Sequence, residues 1–190
     1  EEKVWAHLPP PLLSLLPAPT AAQLAAARQK FDLPPVFVLY PAQTWPHKNH
    51  ANLLLALAVL RRDRGLTVPL ICCGRLTEHS GALLRQAATL GLQGQARFLG
   101  HVSLPELAAL YALCRCVALP SHFEGGGLPV GEAFWAGAPL ACSNLPVLSD
   151  QTGDAAALLF DPERPGQIAD ALARLWTDEP LRHSLAAQGR

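Results

Sequence analysis

The sequence has little net charge, few charged residues and no long apolar run. Its 15 basic and 15 acidic residues cancel, which argues against the basic surface of a nucleic-acid-binding protein. No apolar run is long enough to span a bilayer, and no signal peptide is visible. Charged residues make up 16% of the chain and apolar residues 50%, so the 190 residues can bury a sizeable core in one domain, or in one domain plus an appendage.

Cysteine is scarce and gives no sign of disulfides. There are five cysteines, an odd number, in apolar surroundings, and small buried residues are the simplest interpretation. The Cys114-x-Cys116 pair lacks a second ligand pair at zinc-site spacing, so no metal site is predicted. We expect a reducing, cytoplasmic compartment.

Two segments are predicted. Residues 1–19 are a proline-rich lead-in that cannot form a regular helix or a central strand. Residues 20–190 form a single domain, which begins with a capping-box pattern at Thr20. The chain starts with Glu1 instead of Met and ends at Arg190 inside a predicted helix, so we expect a fragment of a longer protein.

From residue 36 onward, short apolar strands alternate with amphipathic helices. The strands are predicted at 36–40, 69–73, 96–99, 116–119, 139–142 and 157–160. Continuous apolar strands between helices indicate a six-stranded parallel sheet covered on both faces, the doubly wound α/β class. Ligands of such folds bind beyond the carboxyl ends of the strands. These loops are predicted at 41–49, 74–79, 100–103, 120–127 and 143–150. The uncommon residues lie in them or directly beside them: Gln43, Trp45, His47, Lys48, Asn49, His50, Arg75, Glu78, His79, His101, Ser121, His122 and Glu124.

The fourth strand leads into the most informative segment. Glu124 precedes three glycines, and Pro129 opens a helix that carries Glu132. Glycines let the backbone approach a ligand, and a helix N-terminus attracts an anion. A carboxylate can also accept hydrogen bonds from two ribose hydroxyls. The pattern favours an anionic, sugar-bearing ligand, although a surface Glu132 and a helix-end Glu124 would also explain it.

Several short motifs follow one another in a characteristic order along the chain. Residues 120–133 read Pro-Ser-His-Phe-Glu-Gly-Gly-Gly-Leu-Pro-Val-Gly-Glu-Ala, and residues 136–139 read Ala-Gly-Ala-Pro. Upstream, 98–102 read Phe-Leu-Gly-His-Val and 45–50 read Trp-Pro-His-Lys-Asn-His. This set, over about residues 36–176, resembles the retaining glycosyltransferases of family 4. Glu124 and Glu132 would be its E-x(7)-E motif, and the chain would be the Rossmann-like C-terminal half of a GT-B fold.

The resemblance implies a role for each matching residue. Glu132 would hold the ribose, Glu124 would lie beside the donor sugar and its anomeric carbon, and Lys48 would pair with the departing diphosphate. Glu124 and Lys48 are therefore the expected catalytic residues. Besides Lys48 and Glu132, the expected donor-binding residues are Gln43, Arg75, His101, Gly125, Gly126, Gly127 and Leu128.

One position departs from the family pattern. The family usually has Gly-Arg five residues before the lysine, where this chain has Ala42-Gln43. Glutamine carries no charge, and a charge-assisted hydrogen bond to phosphate is about twice as strong as a neutral one. Arg75 is the candidate for a replacement cation.

The resemblance also implies a reaction and its partners. A sugar, with mannose favoured by the form of the 45–50 motif, would pass from a GDP- or UDP-linked donor to an acceptor hydroxyl, without a metal or other cofactor. The acceptor would bind an N-terminal domain outside this chain, so the fragment alone would be inactive. Peripheral membrane contact of the full-length protein stays open.

Two other functions compete with this interpretation. The alternative is a non-catalytic Rossmann-like nucleotide-binding or scaffold module, with Gln43 as a sign of lost catalysis. A nicotinamide-dependent oxidoreductase is disfavoured, because Pro41-Ala42-Gln43 follows the first strand where such enzymes have Gly-x-Gly-x-x-Gly.

Overall fold

A computed structural model describes residues 12–15, 17–153 and 155–189. Its centre is one sheet of six parallel strands in the order β3-β2-β1-β4-β5-β6. The strands are β1 (Val38–Pro41), β2 (Leu70–Cys73), β3 (Ala96–Phe98), β4 (Cys116–Leu119), β5 (Leu140–Ser143) and β6 (Leu158–Phe160). Strands β2, β4 and β5 are buried along their whole length, as expected of a parallel sheet covered on both faces.

Helices cover the sheet in two groups. They are α1 (Ala21–Lys30), α2 (His50–Arg64), α3 (Ser80–Thr89), α4 (Leu104–Leu113), α5 (Leu128–Ala136), α6 (Pro146–Thr152), α7 (Pro165–Thr177) and α8 (Glu179–Gln188). Helix α2 packs against α3 and α7, whereas α4 packs against α1 and α5. The predicted doubly wound α/β fold is therefore confirmed.

Most predicted elements lie within two residues of their observed bounds. The capping box at Thr20 is present, with both of its hydrogen bonds. Helix α6 is the main correction, because its residues were predicted as part of a loop at 143–150. It has only seven residues and ends at Thr152, before Gly153, so it is too short to show a helical period.

The strand order places a reversal between β1 and β4. Val38 of β1 lies opposite Leu70 of β2 on one side and Cys116 of β4 on the other. The loops that leave β1 and β4 therefore begin side by side at the carboxyl edge of the sheet. In doubly wound folds this switch point is where ligands bind.

The predicted proline-rich segment at 1–19 lies mostly outside the described residues. Its described part includes a short 3-10 turn at Leu12–Leu15, which packs against α5 and buries Leu13 completely. None of the helices in the described ranges is long and apolar enough to cross a membrane.

Candidate functional site

The loops after β1 and β4 are joined across the switch point. The backbone N–H of His122 donates to the carbonyl of His47 at 2.8 Å. Asn49 Nδ2 donates to the Pro120 carbonyl at 2.8 Å and to the Pro162 carbonyl at 2.9 Å. Asn49 adopts a left-handed backbone conformation, with φ of 57°. Asparagine adopts this conformation more readily than most residues other than glycine. Asn49 thereby holds the start of α2 against the loops after β4 and β6.

An ion pair links Lys48 from one loop to Glu124 from the other. Lys48 Nζ lies 2.8 Å from Glu124 Oε1, and the Lys48 and Glu124 side chains are 20% and 9% exposed. Ser121 Oγ donates to the same carboxylate oxygen at 2.6 Å. The two expected catalytic residues, 76 positions apart in the chain, are thus in direct contact.

Tyr40, at the end of β1, lies beneath this pair. Its hydroxyl donates to the Lys48 carbonyl and lies 3.3 Å from Ser121 Oγ. Tyr40 is fully buried, and burial raises its pKa well above the ordinary value, so the phenol stays protonated and can donate. Tyr40 therefore contacts the residues on both sides of the ion pair.

His50, the first residue of α2, packs beside Tyr40. Their ring centroids are 4.5 Å apart. The ring centroid of Phe98, on β3, lies 5.9 Å from that of His50. Desolvation, with smaller contributions from His79 and Lys48, lowers the pKa of His50 to about 3. The imidazole is consequently neutral at physiological pH and serves as a packed ring.

The glycine loop between β4 and α5 is shaped by α6. Gly127 is the N-cap of α5 with φ of 57°, and a Cβ there would lie 2.6 Å from Gln151 Nε2 and 2.8 Å from Leu148 Cδ2. Gln151 Nε2 also donates to the Gly126 carbonyl at 3.1 Å. No side chain caps α5, but Pro129 has no N–H and the Val130 N–H donates to the Gly127 carbonyl at 2.8 Å. In the first turn, the N–H of Leu128 is therefore the group that can face an anion.

Glu132 lies one turn inside α5, as the sequence predicted. It is 7% exposed, and its Oε2 accepts a hydrogen bond from the Tyr111 hydroxyl at 2.9 Å. Burial raises the pKa of Glu132, and the hydrogen bond from Tyr111 opposes this only in part. The carboxyl group is therefore held in a desolvated position with a neutral partner.

The remaining predicted residues lie on the loops that leave β1, β2, β3 and β4, or at the start of α5. Gln43 is exposed, and its Oε1 accepts the indole N–H of Trp45 at 3.0 Å. Arg75 Cζ lies 6.0 Å from the Trp45 ring centroid. Because both contact the same indole, Gln43 and Arg75 form one group. His101 is exposed on the loop after β3, and Gly125 and Leu128 are exposed at either end of the glycine turn.

Sequence reasoning missed the residues that support the site. Tyr40 and Tyr111 were not singled out, although they are the only tyrosines of the chain, a rarity that could have drawn attention to them. Gln151 was missed together with its helix.

The cysteines and the metal-ligating residue types form no further site. All five cysteines are free, and in the described part of the chain no cluster of three or more His, Cys, Asp or Glu residues could hold a metal.

Comparison with known proteins places these features in a family. Residues 23–190 match the family model described as Glycosyl transferases group 1. O-antigen chain mannosyltransferase B of Escherichia coli is 33% identical over 153 residues, which cover 80% of this chain and 40% of that protein. The chain thus spans less than half the length of this relative.

Solved structures agree on the fold. A structure of Anabaena Alr3699/HepE in complex with UDP and glucose has a TM-score of 0.79 at 21% identity, over 90% of this chain and 47% of that one. The C-terminal domain of a Francisella tularensis glycosyl transferase group 1 protein has a TM-score of 0.75 at 22% identity, over 90% of both chains. These likenesses confirm the predicted fold, a Rossmann-like domain of the GT-B type.

Proposed function

Because the chain belongs to the glycosyl transferases group 1 family and is a glycosyltransferase domain, we propose that it binds the donor of a retaining enzyme. The donor is a nucleoside diphosphate sugar, and mannose linked to GDP is our first choice. The mannosyltransferase relative supports the sugar, whereas the UDP complex of the structural neighbour supports a nucleoside diphosphate in general.

The observation that carries this proposal is the Lys48–Glu124 pair at the switch point. The pair places one cation and one carboxylate beside the uncapped start of α5. In the proposed complex the diphosphate lies between Lys48 and the backbone of Gly126, Gly127 and Leu128. A partly buried cation interacts strongly with phosphate, because little water screens it.

In the proposed reaction, the bond from the anomeric carbon to the diphosphate oxygen breaks, and the electron pair leaves with the diphosphate. Lys48 and the α5 N-terminus stabilise that charge as it develops. The acceptor oxygen forms the new bond on the same face of the sugar and gives up its proton to the departing diphosphate, with no covalent sugar–enzyme intermediate. Glu124 orients the sugar, and its contacts with Lys48 and Ser121 fix the carboxylate for that task.

Glu132 completes the donor site in this proposal. A ribose would supply two hydroxyls to the Glu132 carboxylate, which has one neutral partner in Tyr111. His101 and Gly125 would border the nucleotide from neighbouring loops. Arg75 would supply the positive charge that Gln43 lacks, since both side chains meet at Trp45.

The full-length protein would place the acceptor against a further N-terminal domain. The chain covers 40% of its mannosyltransferase relative, which leaves room for such a domain. We propose a cytoplasmic location, which the five free cysteines support. The kinship with named transferases disfavours a non-catalytic scaffold module, and Glu124→Ala in the full-length enzyme tests that alternative by its effect on transfer.

Calorimetric titration of the chain with GDP and with UDP tests donor binding. We expect heat with at least one of them and a Kd on the order of 1 µM to 1 mM, the range of typical KM values for substrates. No heat with either nucleotide would refute the donor-binding role. Transfer by the full-length enzyme, with the anomeric configuration of the product read by NMR, tests retention.

A further inference from the structure

A second cavity opens at the carboxyl edge of the sheet, beside the proposed donor site. Its volume is about 430 Å³, and it lies between the loop after β1 and the start of α3. Trp45 forms one wall, Gly81 lies on the α3 side, and the lining includes three ionisable side chains: Glu78, His79 and Arg85. The ion pair of Lys48 and Glu124 does not border this cavity.

Trp45 connects the cavity to the proposed donor site. Its indole N–H donates to Gln43 Oε1 at 3.0 Å, and its ring lies 6.0 Å from Arg75 Cζ. The next residue, Pro46, also lines the cavity and begins the short 3-10 turn Pro46–Lys48. A molecule in the cavity would therefore be a neighbour of the donor.

The lining fits a neutral, polyhydroxylated ring. The indole offers an apolar face to the C–H groups of a sugar ring, and Trp45 is 38% exposed. Glu78 accepts hydrogen bonds from hydroxyls, Arg85 donates them, and His79 does either. The opposite charges of Glu78 and Arg85 cancel, so these two side chains provide no excess positive charge that would select a phosphate over a neutral ligand.

A nucleobase fits this cavity less well. Glu132, the proposed ribose ligand, contacts Tyr111 of α4, and α4 belongs with α1 and α5. The cavity borders α3, which packs against α2 in the other group of helices. A nucleotide bound at Glu132 would leave the cavity free for the second substrate.

We propose that this cavity is a subsite for a sugar ring of the acceptor. The proposal rests on the proposed transferase function, and it assigns part of acceptor recognition to this domain. Trp45 packs against the sugar ring, while Glu78 and Arg85 bind its hydroxyls.

Filling the cavity tests the proposal without removing any donor-site group. Gly81 is the second residue of α3, and a Cβ there would meet only Arg85 Nη1, at 3.6 Å. Gly81→Leu in the full-length enzyme should raise the KM for a saccharide acceptor about tenfold or more, with the KM for the donor unchanged. Gly166→Leu is the matched control, since Gly166 is also the second residue of a helix, α7, with open space around it.

A second variant guards against misfolding. Glu78→Ala removes an exposed carboxylate that would bind an acceptor hydroxyl, so it should raise the same KM about tenfold. Unchanged acceptor KM in both variants would overturn the subsite. An unchanged acceptor KM in Gly81→Leu alone would overturn it too, because a leucine that projects into an occupied subsite must compete with the bound sugar ring. Failure of the wild-type chain to bind GDP or UDP would refute the donor site separately.

Discussion

Two lysine–glutamate ion pairs in this domain join residues 76 positions apart, yet their surroundings differ. Lys30 of α1 meets Glu106 of α4 at 2.5 Å, with the two side chains 62% and 24% exposed. Lys48 meets Glu124 at 2.8 Å, with exposures of 20% and 9%. The first pair lies on a helix surface and the second between two loops at the switch point.

The difference lies in what else each carboxylate binds. Glu106 also caps α4, because its Oε2 accepts the Ser103 N–H at 2.8 Å. These contacts, led by that with Lys30, lower the pKa of Glu106 to about 2. Glu124 instead binds the hydroxyl of Ser121 and lies next to the glycine turn. Identical chemistry thus ties helices together in one place and, in our proposal, contacts the substrate in the other.

Neutralising each glutamate should break the likeness most clearly. Glu124→Gln in the full-length enzyme should lower kcat by roughly 10²–10³-fold, the usual cost of losing one preorganised polar group at a reacting centre. The matched change Glu106→Gln should leave kcat unchanged and cost at most about 1 kcal/mol of stability. Initial rates of sugar transfer measure both, and equal rates for the two variants would remove the catalytic assignment.

The second acid of the motif separates binding from stability. Glu132→Gln should weaken nucleotide binding about tenfold, since an amide accepts only one of the two proposed ribose hydrogen bonds. It should also raise the melting temperature at pH 7, because burial raises the pKa of Glu132 and so makes its ionised form unfavourable in the fold.

The stability gain of Glu132→Gln should depend on pH. Wild-type Glu132 is protonated in both folded and unfolded chains below its ordinary pKa of 4.5, so the gain of the variant should vanish there. Calorimetric melting at pH 7 and pH 4 measures the difference. A variant that melts below wild type at pH 7 would show that the charge of Glu132 stabilises the fold.

His50 gives an effect on stability that is confined to acid pH. Its folded pKa of about 3 lies below its ordinary 6.5, so its contribution to stability is full above pH 6.5 and is lost as the pH falls toward 3. The slope is about 1.4 kcal/mol per pH unit for one proton. His50→Phe should flatten urea-unfolding stability between pH 6 and pH 4, and an unaltered slope would refute the buried neutral imidazole.

The sequence was sufficient for the architecture because each strand is a short apolar run bounded by turn residues. Periodicity then separated strands from helices, and the absence of alternation predicted parallel pairing. Helix α6 was not predicted, because a segment of seven residues with Ser149 and Asp150 in its middle resembles a loop. Its role, the support of Gly126 and Gly127 through Gln151, depends on a tertiary contact that no local pattern encodes.

The sequence predicted the loop residues of the site, but not the tyrosines that support them. Lys48 and Glu124 were placed in neighbouring loops because strand ends meet at one edge, but their direct pairing required coordinates. Tyr40 and Tyr111 lie on a strand and a helix that read as ordinary core elements. Their hydroxyls matter because of the residues that lie opposite them in space.

The central claim is that Lys48, and not lysine charge in general, holds the diphosphate. Calorimetry with GDP or UDP on the wild type, Lys48→Ala and Lys30→Ala tests it directly. Lys48→Ala should raise the nucleotide Kd about 10- to 100-fold, the value of a hydrogen bond to a charged group, while Lys30→Ala stays within about twofold of wild type. Equal affinities for all three chains, or equal losses in both variants, would contradict the account.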